Sequence, residues 1–177
     1  MAAEGRRYVL SGGAQTTYPM DGGGRITFPA KYNRVLSGDL VVVASPEEEF
    51  PSVWIYEREV YLTWVESIIR IKAPRVDGRR LNYLRTRLFG QAEELQVDKA
   101  SRILIPKDLR HLASLSTTVK IIGADDHLEI WNEEIYAQYL AHCSGRLHIL
   151  KDDLDDDFYE GTVDDFSYEY IDGTKDE

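Results

Sequence analysis

Two arginines follow two similar tight turns, and their side chains are well suited to binding an anion. Both turns have the spacing Asp-x-x-x-Arg, from Asp21 to Arg25 and from Asp98 to Arg102, and an apolar strand and a proline follow each. Such an aspartate can accept hydrogen bonds from its own turn, and Gly22 to Gly24 can supply positive φ. The arginine presents a planar fork that can bind guanine O6 and N7, or a phosphate, through two hydrogen bonds. The turns therefore predict a contact with double-stranded DNA.

Further basic residues lie close to the two turns in sequence. They are candidate phosphate contacts, which orient a protein on a duplex without reading its sequence. In the alternative interpretation, each arginine only pairs with the aspartate of its own turn and the other bases are ordinary solvated surface. Duplication of the whole arrangement favours DNA binding. The candidate phosphate contacts are Lys31, Arg34, Lys99, Lys107 and Arg110.

The net charge of the chain conceals two opposite regions. The 177 residues include 21 lysines and arginines and 31 aspartates and glutamates, a net charge of −10. Residues 151–177 hold 12 acids and 2 lysines, which accounts for the whole excess, so residues 1–150 are neutral. Residues 70–87 have seven basic residues against Asp77, a net of +6. This basic segment could extend the DNA-binding surface, or it could pair with the acidic loops of a neighbouring subunit. We slightly favour the second interpretation.

The elements that must position the turns repeat along the chain. The second turn follows the first at an offset of 98 − 21 = 77 residues, and residues 53–56 resemble residues 128–131 at an offset of 75. Each copy predicts a short strand, the turn, a strand at 26–28 or 103–105, and a short helix at 30–36 or 107–115. Two more strands and a closing helix follow in each copy. The chain is therefore predicted to be a tandem repeat.

The duplication sets the expected domain organisation. Residues 1–150 are predicted to form one body from two repeats, about 8–70 and 88–143, joined by a basic helical connector at 71–90. Asp77 can cap the connector helix. Short strands cannot bury both faces alone, so we expect the repeats to pack together as one pseudo-symmetric, β-rich α+β body with peripheral helices.

The paired Asp-x-x-x-Arg turns, each followed by an apolar strand and a proline, resemble the MraZ family over roughly residues 8–143. The resemblance implies a pseudo-symmetric β-barrel of two SpoVT/AbrB-type swapped-hairpin units. It also implies a cytoplasmic, nucleoid-associated bacterial transcriptional regulator of the division and cell-wall gene cluster. Such a regulator forms a homo-oligomeric ring and binds short G-rich DNA repeats through loops that here contain Asp21, Arg25, Asp98 and Arg102.

Signals for catalysis, a cofactor or a metal are weak in this sequence. Gly22 to Gly24 precede an arginine and a strand rather than the Lys-Ser/Thr and helix of a phosphate-binding loop. The single cysteine, Cys143, falls on an apolar helix face and is predicted to be structural. The longest apolar run, residues 40–44, is too short for a membrane helix, and no apolar block near the start predicts a secretory signal. We expect a protein that is not an enzyme and has no cofactor. The histidines without metal-binding spacing are His111, His127, His142 and His148.

Residues 151–177 are acidic and contain interleaved aromatic residues. High charge and few aliphatic residues predict disorder for this tail in isolation. It could be a solubilising extension, or a tethered polyanion that competes with DNA for the basic turns. Two other functions remain open from the sequence: a ring-forming protein–protein assembly scaffold, and an AbrB-like antitoxin whose tail folds on a toxin.

Overall fold

The computed structural model describes residues 8–33, 36, 39–154 and 169–171, and these form ten strands, five α-helices and one short 3-10 helix. The α+β class expected from the sequence is confirmed. The strands are β1 Tyr8–Leu10, β2 Tyr18–Pro19, β3 Arg25–Thr27, β4 Leu40–Ala44, β5 Val53–Glu57, β6 Glu93–Leu95, β7 Arg102–Leu104, β8 Thr118–Ala124, β9 His127–Trp131 and β10 Glu169–Ile171. The α-helices are α1 Ala30–Asn33, α2 Arg58–Lys72, α3 Gly78–Gly90, α4 Lys107–Leu112 and α5 Glu133–Leu154, and the 3-10 helix is Ala73–Arg75.

Six strands form one antiparallel sheet in the order β2-β8-β9-β5-β4-β6. The hairpins β4–β5 and β8–β9 come from the first and second repeat, and β5 pairs with β9 where the two repeats meet, with Val53 opposite Ile130 and Ile55 opposite Leu128. The two repeats also pair through β3 and β7, which form a separate antiparallel ribbon. Strands of the two repeats also pair at β2–β8 and β4–β6, so pairing between the repeats occurs at four places.

The described strands do not close into the β-barrel that the family resemblance implied. Strands β2 and β6 are the two edges of the six-stranded sheet and do not pair with each other. The β3–β7 ribbon connects to β2 through the single bridge between Met20 and Ile26. The Asp-x-x-x-Arg turn reverses the chain directly after β2, so continuous pairing stops there. The result is an open sheet with a separate ribbon.

The central strands are buried on both faces, which explains the continuous apolar run at residues 40–44. Leu40 and Val42 belong to the larger core, which also contains the inner residues of the β3–β7 ribbon, Ile26 and Ile103. Val41 and Val43 belong to a second cluster beneath α2. A strand with helices or strands on both sides shows no apolar–polar alternation.

The helices follow the predicted pattern, except that α4 ends earlier and α5 continues to Leu154, four residues into the predicted tail. In α2 the apolar face is confirmed, with Tyr61 and Val65 buried. Asp77 caps α3 as predicted, since its side chain accepts a hydrogen bond from the backbone N–H of Arg80 at 2.9 Å. Helix α4 ends at Leu112 rather than 115, because Ser114 has a positive φ of 51° that a helix cannot continue. The described part of helix α1 is Ala30–Asn33, residues 34 and 35 lie outside the described part of the chain, and the backbone N–H of Leu36 donates to the carbonyl of Tyr32 at 2.8 Å.

His127 lies between two carboxylates on the face of the sheet beneath α2. Its Nδ1 is 2.8 Å from Asp126 Oδ1, its Nε2 is 3.3 Å from Glu129 Oε1, and its ring stacks on Tyr56 with centroids 4.7 Å apart. Burial disfavours the charged ring, but the two carboxylates together outweigh burial and raise the pKa of His127 above 6.5. The protonated ring therefore stabilises the folded state.

This arrangement predicts a pH-dependent stability. The contribution of His127 is fully present below the unfolded pKa of about 6.5, and it is lost as the pH rises through the raised folded pKa. We expect the free energy of unfolding, measured in urea, to fall across that window in the wild type and to fall less in His127→Gln. His111→Gln, which changes an exposed histidine on α4, is the control. If the free energy of unfolding fell with pH as steeply in His127→Gln as in the wild type, His127 would not be the source of the pH dependence.

Candidate nucleic-acid interface

The two Asp-x-x-x-Arg turns have the same hydrogen bonds. Asp21 Oδ1 accepts from the backbone N–H groups of Gly23 and Arg25 at 2.8 and 2.9 Å. Asp98 Oδ1 accepts from the backbone N–H groups of Ala100 and Arg102 at the same two distances. The expectation that each aspartate organises its own turn is confirmed.

Positive φ is needed at only one position of each turn. Gly24 has a φ of +87° and Ser101, at the matching position, has a φ of 55°. Gly22 and Gly23 do not have positive φ, so only one of the three consecutive glycines has the role expected from the sequence. A serine in this conformation is strained, and the hydrogen bonds of the second turn hold it there.

The β3–β7 register places the two arginines on one face of the ribbon. Arg25 lies opposite Leu104 and Thr27 lies opposite Arg102. These four residues are exposed, whereas Ile26 and Ile103, which lie between them, are 0% exposed on the other face. Diagonal neighbours on one face of an antiparallel pair are roughly 7–8 Å apart. Arg25 and Arg102 are therefore close together and both open to solvent.

Each turn is supported by the other repeat. The backbone N–H of Phe28 donates to the carbonyl of Ser101 at 2.7 Å, and the N–H of Ile105 donates to the carbonyl of Gly24 at 3.0 Å. The side chain of Arg110, on α4, packs against the first turn so closely that a Cβ atom on Gly24 would lie 2.5 Å from its Cζ and Nε.

The matching contact on the second turn comes from α1. There, Asn33 Nδ2 donates to Ser101 Oγ at 3.4 Å. Each turn thus rests on a helix of the other repeat, which fixes the position of the turn relative to the body of the protein.

The two arginines differ in what they already bind. Arg102 donates through Nε and Nη2 to Asp98 Oδ2 at 2.9 and 2.8 Å. Arg25 forms no side-chain ion pair among the described residues, and its guanidinium lies over its own turn near Gly23. The intramolecular pairing that the sequence left open is thus present for Arg102, whereas Arg25 keeps its hydrogen-bond donors available.

The carboxylates of both turns favour their charged forms. The pKa of Asp21 is lowered, mainly by the hydrogen bond from the Arg25 backbone, with smaller contributions from the charges of Arg25 and Arg102. The pKa of Asp98 is lowered by the hydrogen bonds from the backbone and then the side chain of Arg102. That Arg102 acts on Asp21 shows that the two turns are neighbours.

These contacts predict different effects of the two arginines on the aspartates. Arg102→Ala should raise the pKa of Asp98, yet leave it below 3.8, because the backbone N–H of residue 102 still donates. Arg25→Ala should raise the pKa of Asp21 less, because only a charge interaction is lost. The carboxyl carbon resonances, followed by NMR during acid titration, measure both values. Equal rises in the pKa of Asp98 in Arg102→Ala and of Asp21 in Arg25→Ala would contradict this prediction.

Both pKa values are lowered in the folded protein, so the charged carboxylates stabilise the turns. This stabilisation should be lost as the pH falls through the two lowered pKa values, because a protonated carboxyl group accepts these hydrogen bonds more weakly.

The candidate phosphate contacts lie in different surroundings. Lys99 and Lys107 are exposed next to the turns. Lys31 is half-buried, with Nζ 4.6 Å from the centroid of the Tyr32 ring. Arg110 is half-buried against Gly24, and its Nε is buried without a hydrogen-bond partner among the described residues. Arg34 lies outside the described residues.

Sequence reasoning missed Thr27 and Leu104, which share the exposed face of the ribbon with the two arginines. Leu104 is 47% exposed although it lies in an apolar strand. Alternation along a strand could have found both residues, because each stands two positions after its arginine and therefore on the same face.

Metal-binding clusters and membrane-spanning helices are both absent from the part of the chain that the structure describes. There, no three or more histidine, cysteine, aspartate or glutamate side chains are grouped so that they could hold a metal ion. None of the helices within the same residues has the length and apolar character needed to span a membrane.

The fold and the two turns define an α+β protein whose two repeats pair strand to strand and expose an arginine-bearing ribbon. Residues 88–153 match the family model described as "MraZ protein, putative antitoxin-like". The chain is 35% identical over 125 residues to the "Transcriptional regulator MraZ" of Mycobacterium tuberculosis, covering 70% of this chain and 82% of that protein. It is 31% identical over 121 residues to the protein of the same name in Alkalilimnicola ehrlichii, covering 67% of this chain and 79% of that protein. The chain belongs to the MraZ family.

A third relative extends the similarity along the chain. The protein named "Transcriptional regulator MraZ" in Finegoldia magna is 26% identical over 137 residues, which cover 77% of this chain and 92% of that protein. Residues 155–168 lie beyond the part that the family model matches.

Proposed function

We propose that this protein is a sequence-specific DNA-binding transcriptional regulator that contacts the duplex through the β3–β7 ribbon and its two turns. One observation carries the proposal: Arg25 and Arg102 lie in turns with the same hydrogen bonds and share one exposed face of the ribbon. The names of the relatives, all transcriptional regulators, support it.

The shape and chemistry of the ribbon suit the major groove of DNA. A two-stranded ribbon fits into that groove, and arginine forks bind guanine there. The methyl group of Thr27 and the side chain of Leu104 can contact the methyl group of thymine beside such a guanine. Lys31, Lys99 and Lys107, together with Arg34 and Arg110, would contact or face the phosphates that fix orientation. Asp21 and Asp98 hold the turns in shape.

One ribbon offers too few base contacts for a specific site, so we propose that the protein binds as a homo-oligomeric ring on short G-rich repeats. We further propose that the two repeats are pseudo-symmetric about the ribbon, so that each subunit presents two similar arginines. A symmetric assembly multiplies such contacts without new chemistry. By the same proposal its targets lie in the bacterial division and cell-wall gene cluster.

The test is the selection of bound duplexes from a random library, followed by titration of the selected duplex by fluorescence anisotropy. We expect the selection to recover repeated G-rich sequences. The affinity should fall linearly with salt on logarithmic axes, because neutralised phosphates release counterions. A scrambled duplex of equal composition is the control. Equal affinity for the selected and the scrambled duplex would contradict sequence-specific binding.

A second function is favoured by one observation, the antitoxin-like description of the matching family model. In that case, or if the protein is an assembly scaffold, its main partner is another protein. A stoichiometric protein that copurifies from the native host and shields the ribbon from DNA would support this function.

A further inference from the structure

Helix α3 carries a basic surface on which one aromatic ring is strongly exposed. Tyr83 is 68% exposed, and none of the residues of α3 is buried. Arg79, Arg80 and Arg87 lie four and three residues before Tyr83 and four residues after it, so all four share one side of the helix. We call these four residues the Tyr83 patch. A helix that exposes an aromatic ring among arginines has a surface suited to an acidic ligand.

The charge of this region is only partly balanced by its own contacts. Residues 70–87 have a net charge of +6. Arg80 lies 3.6 Å from Asp77 and Arg87 lies 3.3 Å from Glu48, and all four side chains are exposed. Exposed pairs of this kind contribute little stability, so the patch can still attract a polyanion.

Helix α5 contacts the loop whose Glu48 pairs with Arg87 of the Tyr83 patch. Its Tyr139 stacks on Trp131, with ring centroids 5.0 Å apart, on the same face of the sheet that α2 covers. Tyr139 also contacts Phe50 at 5.8 Å, and Glu48, two residues earlier in that loop, pairs with Arg87 of α3. Residues 155–168 therefore begin at the end of a helix that contacts the same loop as Arg87.

The far end of residues 155–168 lies near the β8–β9 turn. Strand β10, which follows directly, pairs with β1, and Leu10 of β1 bonds to Asp125 in the β8–β9 turn. The neighbouring His127 stacks on Tyr56, which stacks on Trp64 of α2 at 5.9 Å. An extended chain of this length spans up to about 50 Å, more than twice the roughly 20 Å length of a 13-residue helix such as α3.

We propose that residues 155–168 dock on the Tyr83 patch of their own chain. The segment has six acids, no lysine or arginine, and four aromatic residues, so it matches both the charge and the ring of the patch. Arginine forks bind carboxylates and stack on aromatic rings. The ribbon is a poorer site for the same segment, because Arg102 is already paired with Asp98 and the carboxylates of Asp21 and Asp98 repel an acidic chain.

Hydrogen exchange of the full chain, measured by mass spectrometry at low salt, tests the proposal. In the test variant, amides replace the six acids of the segment, Asp155, Asp156, Asp157, Glu160, Asp164 and Asp165. We expect α3 to exchange about threefold to tenfold faster in this variant than in the wild type. The matched control replaces the other six acids of the tail, Asp152, Asp153, Glu169, Asp172, Asp176 and Glu177, and should leave α3 unchanged. The double variant Arg79→Glu, Arg80→Glu should in turn speed exchange in residues 155–168.

Four results would overturn the proposal. The first is equal exchange of α3 in the test variant and the control. The second is protection of residues 155–168 that is lost in Arg25→Ala, which would place the segment on the ribbon. The third is protection of α3 that grows with protein concentration, which would indicate a second copy. The fourth is that α3 is protected only when a DNA duplex is added, which would make the Tyr83 patch part of the DNA-binding surface.

Discussion

Replacing Arg25 by alanine is expected to weaken binding to the selected G-rich duplex by about tenfold to a hundredfold, since one bidentate contact with a guanine discriminates by roughly 1 to 3 kcal/mol. The loss on a random duplex should be smaller, because only a charge is removed there. Arg25 is the sharper of the two tests, because its guanidinium has no ion-pair partner among the described residues and loses no intramolecular contact when it binds DNA.

Arg102→Ala should show the same preference for the selected duplex. The loss of affinity should be smaller than for Arg25→Ala. Arg102 already donates hydrogen bonds to Asp98, so it must share these donors with DNA or break the ion pair. Arg70→Ala, which removes an exposed arginine far from the ribbon in sequence, is the matched control. It should lower the affinity for both duplexes by the same small factor. If Arg25→Ala lowered both affinities by the same factor, Arg25 would be a nonspecific phosphate contact.

Ile26→Ala is expected to destabilise the protein by about 2 to 5 kcal/mol, the usual cost of removing a large aliphatic side chain from a packed core. Ile26 is 0% exposed, lies opposite Ile103 in the ribbon, and belongs to the larger core. The cavity would lie directly beneath the two turns. Urea unfolding followed by circular dichroism measures the change, and we expect the midpoint to fall while the slope of the transition is kept.

Leu104→Ala is the matched control on the same ribbon. Leu104 is 47% exposed on the outer face, so its removal should change stability by no more than about 0.5 kcal/mol. Under the proposed function, however, it should weaken binding to a duplex with thymine beside guanine and have less effect when deoxyuridine replaces that thymine. Comparable destabilisation by Ile26→Ala and Leu104→Ala would contradict the two-faced ribbon described above.

Much of the local structure was predictable because it depends on near neighbours in sequence. The hydrogen bonds within each Asp-x-x-x-Arg turn join residues two to four positions apart, and Asp77 caps a helix that begins at the next residue. The apolar run from Leu40 to Ala44 and the apolar face of α2 were likewise readable from hydrophobic periodicity.

The errors at the sequence level concern positions where distant residues meet. Three glycines in a row gave no means of telling that Gly24 alone needs positive φ. The close packing of Arg110 against Gly24 joins residues 86 positions apart and has no local signature. The open sheet in place of the expected barrel follows from where pairing stops after Met20, which the strand pattern alone does not reveal.

The amino-acid sequence by itself predicted a duplication and determined the two arginine-bearing turns, because turn chemistry and strand periodicity act over a few residues. Only the tertiary structure decided that the two arginines share one exposed face, since this depends on the pairing of Arg25 with Leu104 and of Thr27 with Arg102, across strands 75 or more residues apart. It also decided that Arg102 is held by Asp98 while Arg25 is not. A one-residue shift in that pairing would turn one strand's side chains to the other face, so the site exists because the core residues Ile26 and Ile103 fix the register.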